Sequence, residues 1–244
     1  GANARIIKVK TLKSERKLRE LEWVEANRRK VDAASGGRIG YIYVPNTSRE
    51  GINELMMQYR SQFNKDALII DERFNTGGAL GDRLVELLNR PPLVWFRARN
   101  STSYSLPELA HRGPKTLLIN GWSYSGGDGF PLLFKTAKVG PLIGKQTWGG
   151  LIGPGMFMPL ANGGFVSVPP IRVAGNDGQW SEGNEGVKPD IEVMNDPGQL
   201  AQGIDQQLDR AIAEMMLALE DYKPVPVPEF QKTGEWNPAK RGSK

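Results

Sequence analysis

The sequence predicts an α/β protein with a largely parallel sheet flanked by helices. Short apolar runs alternate with amphipathic segments along most of the 244 residues, and this alternation is typical of parallel sheets. Ala67–Asp71 and residues 116–119 are nearly unbroken in apolar character, as expected for strands covered on both faces. Met156–Pro159 and Phe165–Val168 flank a turn containing Gly163, so we expect an inserted hairpin there.

Periodicity and turn residues predict the individual elements. Helical spacing of apolar residues ends at the glycine pair 36–37, and the next apolar run ends at Pro45. In chain order we expect a helix over 14–34, a strand over 38–44, a helix from 48 to 63, a strand over 67–71, a helix over 80–88, strands over 93–96 and 116–119, a helix over 127–137, a strand at 142–143 and a helix over 201–219.

Three regions follow from this order. Residues 1–35 form an N-terminal helical segment, 36–220 the core, and 221–244 an extended proline-rich tail. The formal charge is +5, but basic residues concentrate in the first forty positions and the tail. Few aromatic residues interleave with them, so we reject nucleic acid as the main partner.

Composition excludes several kinds of chemistry. The chain has no cysteine, which excludes thiol catalysis and disulfide bonds. Asp71, Glu72, Asp128 and Asp190 are scattered over separate loops with only one histidine in the chain, so we expect no metal site and no cofactor. No apolar run approaches the length needed to span a membrane.

Two glycine-bearing loops follow two of the buried strands. The first is Asn75–Gly78 and the second is Ser125–Asp128. The ends of parallel strands meet at one edge of the sheet, so one loop can present a hydroxyl while the other offers a backbone N–H group. Two such donors near one oxygen form an oxyanion hole, which points to a serine hydrolase. From the spacing alone, a glycine-rich turn without chemistry is the commoner explanation.

The chain resembles the tricorn-type core proteases, within the broader C-terminal processing peptidase superfamily. Five matching segments occur in the family's order and together extend over roughly residues 20–215; they are Gly37–Pro45, Asp71–Gly78, Ser125–Asp128, Ile143–Gly150 and Gly186–Val193. The resemblance implies a crotonase/Clp-protease-like α/β fold. It also implies hydrolysis of peptides through an acyl-enzyme.

Position by position, the resemblance implies roles for a few residues. Ser125 corresponds to the nucleophile, and the N–H groups of Gly126 and Gly78, with Gly77 as a near alternative, correspond to the oxyanion donors. The family's supporting glutamate aligns with residue 183, a glycine here. Glu182 is therefore the candidate, and Glu185 is the second choice.

The general base is the part that the sequence does not match. Processing peptidases of the bacterial type carry a lysine where this chain has Gly150, and Lys145 precedes that motif and is expected at the surface. Tricorn enzymes use a histidine upstream of the matched segments. The one histidine here, His111, lies in a polar loop where the family places no catalytic group, so we interpret it as a bystander.

We therefore expect a serine-peptidase core that lacks its upstream Ser-His segment and is weakly active alone, because a serine without a base is a poor nucleophile. The alternatives are a non-catalytic peptide-binding or assembly module and a crotonase-like acyl-CoA enzyme. The expected partners are peptide substrates and further copies of the chain in a homo-oligomer. The expected compartment is the cytoplasm, or the periplasm or exterior if the full chain carries a signal peptide.

Overall fold

A computed structural model describes residue 5 and residues 7–97, 102–180 and 185–230. The helices and strands in this part of the chain are α1 (Arg16–Ala34), β1 (Ile39–Tyr43), α2 (Arg49–Gln62), β2 (Ala67–Asp71), α3 (Gly81–Asn89), β3 (Val94–Phe96), β4 (Tyr104–Leu106), β5 (Lys115–Ile119), α4 (Gly126–Thr136), β6 (Leu142–Gly144), β7 (Met156–Pro159), β8 (Phe165–Val168), β9 (Ile191–Glu192), α5 (Pro197–Ala201) and α6 (Gln206–Ala218).

The centre of the fold is a five-stranded sheet in the order β1-β2-β5-β6-β9. Every neighbouring pair in it is parallel, so the carboxyl ends of β1, β2 and β5 lie side by side at one edge. The predicted hairpin is present as the antiparallel pair β7-β8. The predicted α/β class with a mostly parallel sheet, flanking helices and an inserted hairpin is therefore confirmed.

Helices cover both faces of the sheet because side chains alternate along each buried strand. On one face, Ile42, Ile70 and Ile119 belong to a cluster with side chains from α2, α3 and α4. On the other face, Ile69 and Leu118 pack with side chains from α1 and α6. Two-sided burial explains why these strands read as continuous apolar runs.

Two predicted elements were wrong in detail. The strand predicted at 93–96 does not join the central sheet; β3 pairs antiparallel with β4 in a separate two-stranded sheet. The helix predicted from 201 to 219 is interrupted, and α6 begins only after Asp205. The Asp205 carboxylate accepts a hydrogen bond from the Leu208 N–H group and thereby caps α6. The apolar spacing predicted too early a start because it includes Ile204, which is 42% exposed and lies before α6.

Candidate active site

Ser125 lies at the carboxyl edge of the sheet, immediately before α4, and its side chain is partly exposed. Its backbone has φ 58° and ψ −115°, a left-handed conformation that residues with a side chain rarely adopt. Such strain persists only where the surrounding structure enforces it, and it is concentrated at functional sites. The sharp turn places the hydroxyl beside the N-terminus of α4, whose N–H groups and dipole favour negative charge.

The turn Asn75–Gly78, which follows β2, packs directly against Ser125. A methyl group built on Gly77 would lie 2.9 Å from Ser125 Cβ and 3.2 Å from the nitrogen of Gly126. Asn75 joins the two turns, since its carbonyl oxygen accepts a 3.2 Å hydrogen bond from the Tyr124 N–H group. The structure therefore brings together Ser125 and both of the predicted glycine-bearing loops.

Two N–H groups at this junction remain free among the described residues, those of Gly78 and Gly126. The Gly77 N–H group instead donates a 2.8 Å hydrogen bond to Asn75 Oδ1. A methyl group built on Gly126 would lie 2.7 Å from the Gly78 nitrogen, so the two free amides are close neighbours. Of the two glycines that the sequence offered on the first turn, Gly78 is the one with a donor available.

Asp128, in the first turn of α4, holds the loop that contains residues 147–150. Its two carboxylate oxygens accept hydrogen bonds from the N–H groups of Gly149 and Gly150, at 2.7 and 2.8 Å. The hydrogen bonds show that it supports this loop, and the loop therefore stays beside Ser125.

An open aromatic cleft lies next to Ser125. Trp122, Tyr124 and Trp148 line a cavity of about 550 Å³. The Trp148 ring packs edge-on against Tyr124 with 5.9 Å between ring centroids, and the backbone N–H group of Trp148 donates to the Ser123 carbonyl oxygen at 2.9 Å. Exposed aromatic side chains around a concave site are typical of ligand-binding surfaces.

Glu72 is a buried carboxyl group at the end of β2, behind the site. Burial raises its pKa well above the usual range, and the nearby Asp128 raises it further. Neither of its carboxyl oxygens has a hydrogen-bond partner among the described residues. Both effects favour the neutral form of this carboxyl group, so Glu72 is a poor candidate for the base that takes the proton of Ser125.

His111 lies at the opposite end of the sheet from Ser125. It precedes β5, and its backbone carbonyl accepts a hydrogen bond from the Lys115 ammonium group at the first residue of that strand. Its ring Nε2 lies 2.9 Å from the Lys65 carbonyl oxygen, so this nitrogen carries the proton. Ser125 follows the other end of the same strand. The structure thus agrees with the interpretation of His111 as a bystander.

The buried His111 makes the stability depend on pH. Burial, aided by the charge of Lys115, lowers its pKa from 6.5 to about 4. The unfolded chain therefore binds a proton that the folded chain does not, and stability falls as the pH drops from above 6.5 toward 4. We expect this residue to lower the free energy of unfolding by about 2 kcal/mol between pH 7.5 and pH 5. Urea titrations at both pH values measure the free energy of unfolding. In His111→Gln this pH-dependent difference should be smaller by about 2 kcal/mol. An unchanged pH dependence in that variant would show that His111 does not cause it.

The remaining candidates are exposed or lie outside the described residues. Glu182 falls within 181–184, outside the described part of the chain. Glu185 is exposed, and its carbonyl oxygen accepts a hydrogen bond from Gln146. Lys145 is exposed, as expected. In the described ranges no group of three or more acidic or histidine side chains is arranged to hold a metal ion, and no helix there is both long and apolar enough to cross a bilayer.

Comparisons with known proteins agree with this architecture. The family model described as peptidase family S41 matches residues 38–193. A tricorn protease homolog of Saccharolobus solfataricus is 37% identical over 214 residues, covering 87% of this chain and 20% of that protein. The tricorn protease of Thermoplasma acidophilum is 32% identical over 222 residues, which cover 91% of this chain and 21% of that protein. A crystal structure of the tricorn protease superposes with a TM-score of 0.81 at 32% identity, covering 91% of this chain and 22% of that one.

The fold and these similarities define the core of a serine peptidase, a hydrolase. The chain belongs to peptidase family S41, and its core is of the tricorn type. The resemblance inferred from the five sequence motifs is thereby confirmed. The chain spans about a fifth to a quarter of the length of the curated relatives that it matches.

Proposed function

We propose that the chain hydrolyses peptide bonds through an acyl-enzyme on Ser125. The Ser125 oxygen attacks the scissile carbonyl carbon while a base takes its proton, the amine leaves with a proton, and water then releases the acyl group. The N–H groups of Gly78 and Gly126 donate to the oxygen that becomes negative. The observation that carries this proposal is the strained Ser125 turn beside two free amides, that of Gly126 and that of Gly78 in the turn after the neighbouring strand β2.

We propose that the general base comes from outside the described residues. His111 lies at the other end of β5, and burial of Glu72 raises the pKa of its carboxyl group and favours the neutral form. A histidine from an upstream Ser-His segment, supported by Glu182 or by the second choice Glu185, would complete the site. Without that base the hydroxyl is a weak nucleophile, so we expect the chain alone to turn over peptides slowly.

We propose that the substrates are peptides whose apolar side chains occupy the aromatic cleft. Trp122 and Trp148 are 73% and 67% exposed, and the cleft adjoins the turn that carries Ser125. Burial of such rings against a substrate side chain would favour binding.

We also propose that the protein forms a homo-oligomer and acts in the cytoplasm. We propose that the chain divides into three regions, which are a helical segment over 1–35, a core over 36–220 and an extended tail over 221–244. Residues 231–244 of the tail lie outside the described residues.

A fluorophosphonate probe tests the proposal because it labels a reactive serine without requiring a peptide sequence. Because the base lies outside the described residues, we expect slow covalent labelling of the unchanged protein during prolonged incubation and none of Ser125→Ala, measured by intact mass. Ser123→Ala is the matched control, because the Ser123 hydroxyl is buried and donates to the Glu72 carbonyl oxygen at 2.9 Å. An absence of Ser125-dependent labelling would favour the non-catalytic binding module, and tight binding of coenzyme A would favour the acyl-CoA alternative.

A further inference from the structure

Thr47, in the loop between β1 and α2, contacts both amide-bearing turns. Its N–H group donates to the Gly77 carbonyl oxygen and its own carbonyl oxygen accepts from the Leu80 N–H group, both at 2.8 Å. A methyl group built on Gly78 would collide with the Thr47 carbonyl group, and one built on Gly126 would collide with Thr47 Oγ1. Thr47 is therefore the common neighbour of the two proposed oxyanion donors.

The Thr47 hydroxyl is buried and has no hydrogen-bond partner among the described residues. A buried, unpaired hydroxyl opposes folding, and valine would fill nearly the same space without that penalty. Buried polar groups in native structures are almost always paired, so an exception calls for an explanation. The position of the hydroxyl, directly behind the Gly78 and Gly126 amides, offers one.

We infer that Thr47 is a positioning residue for the oxyanion site, an inference that rests on the proposed function. Its backbone fixes the turn of Gly78, and its hydroxyl oxygen lies against Gly126. When negative charge develops on a substrate oxygen held by the two amides, the hydroxyl dipole reorients toward that charge, and the burial of Thr47 makes the electrostatic interaction strong. This gain exists only as charge forms, so it accelerates the chemical step and leaves ground-state binding unchanged.

Two variants separate the hydroxyl from the packing of the side chain. Thr47→Val keeps the shape and removes the hydroxyl, whereas Thr47→Ser keeps the hydroxyl and removes a methyl group. The readout is the rate of Ser125 labelling by the fluorophosphonate, resolved into binding and maximal rate, with thermal unfolding measured beside it. In Thr47→Val we expect the maximal rate to fall roughly tenfold to a hundredfold with unchanged probe binding. Its melting temperature should be equal or higher.

Thr47→Ser should label at nearly the rate of the unchanged protein, although its melting temperature falls because a buried methyl group is lost. Equal labelling rates in Thr47→Val and the unchanged protein would overturn the inference. Equal slowing in both variants would also overturn it, because that result would indicate a packing role. Failure of Thr47→Val to fold would overturn it as well. A complete lack of Ser125 labelling in the unchanged protein would instead reject the proposed function itself.

Discussion

Replacing Gly78 by alanine is expected to slow Ser125 labelling by at least about a hundredfold, the usual effect of losing one oxyanion donor. Gly78 has φ 135°, a region that alanine rarely adopts. An added methyl group would also collide with the Thr47 carbonyl group. The turn must therefore move, and the Gly78 N–H group leaves its place beside Gly126. Labelling rates measured by intact mass give the size of the loss.

The matched control is Gly163→Ala in the β7-β8 turn. Gly163 also has a positive φ, 82°, but no atom lies within 4 Å of an added methyl group there. The control thus shares the backbone strain without displacing any group at the site. We expect it to label at the rate of the unchanged protein. A similar loss in both variants would mean that strain alone, rather than the position of the amide, explains the effect.

Replacing Arg73 by methionine is expected to destabilise the fold by about 3–5 kcal/mol, because it leaves buried carboxylates without their counter-charge. The Arg73 guanidinium lies 2.7 Å from Asp71 and 2.8 Å from Asp205, and all three side chains are buried. Burial alone would raise the pKa of Asp205, but the charge of Arg73 and the hydrogen bonds that the carboxylate accepts together outweigh burial, so this pKa lies below its ordinary value. Urea denaturation of the variant measures the change in free energy of unfolding.

Arg38→Met is the control for that experiment. Arg38 pairs with Asp66 at 2.8 Å, but both side chains are largely exposed. Exposed pairs contribute less than about 1 kcal/mol. If Arg73→Met destabilises the fold because two buried carboxylates lose their counter-charge, adding Asp71→Asn and Asp205→Asn should restore part of the lost free energy of unfolding. A loss as small as that of Arg38→Met would show that the buried network contributes little.

Much of the fold could be predicted because local patterns determine it. Unbroken apolar runs marked the strands that helices cover on both faces, and turn glycines marked the β7-β8 hairpin. The pairing of β3 with β4 was missed because a short apolar run carries no information about its partner. The start of α6 was missed for another reason, since apolar spacing continued across Gly203 and Asp205, although an aspartate three residues before Leu208 is a capping signal.

The candidate site was predicted only in part. The convergence of Ser125 with Gly78 and Gly126 was expected from glycine loops that follow neighbouring strands, and the structure places them together; their catalytic roles remain proposals. The contributions of Thr47 and Asp128 depend on contacts with residues distant in sequence, which one-dimensional patterns do not encode. The Arg73 network was missed for the same reason, because one of its bonds joins Arg73 to Asp205, 132 positions further along the chain.

The parallel arrangement of the sheet also governs when the site comes into existence. Thr47, Gly78 and Ser125 follow three adjacent strands, and each adjacency requires the chain to cross over before the next strand can dock. Contacts between distant segments form late in folding, after the entropy of closing long loops has been overcome. A partly folded chain therefore holds no assembled cleft, and the candidate site forms only when the three strands have docked.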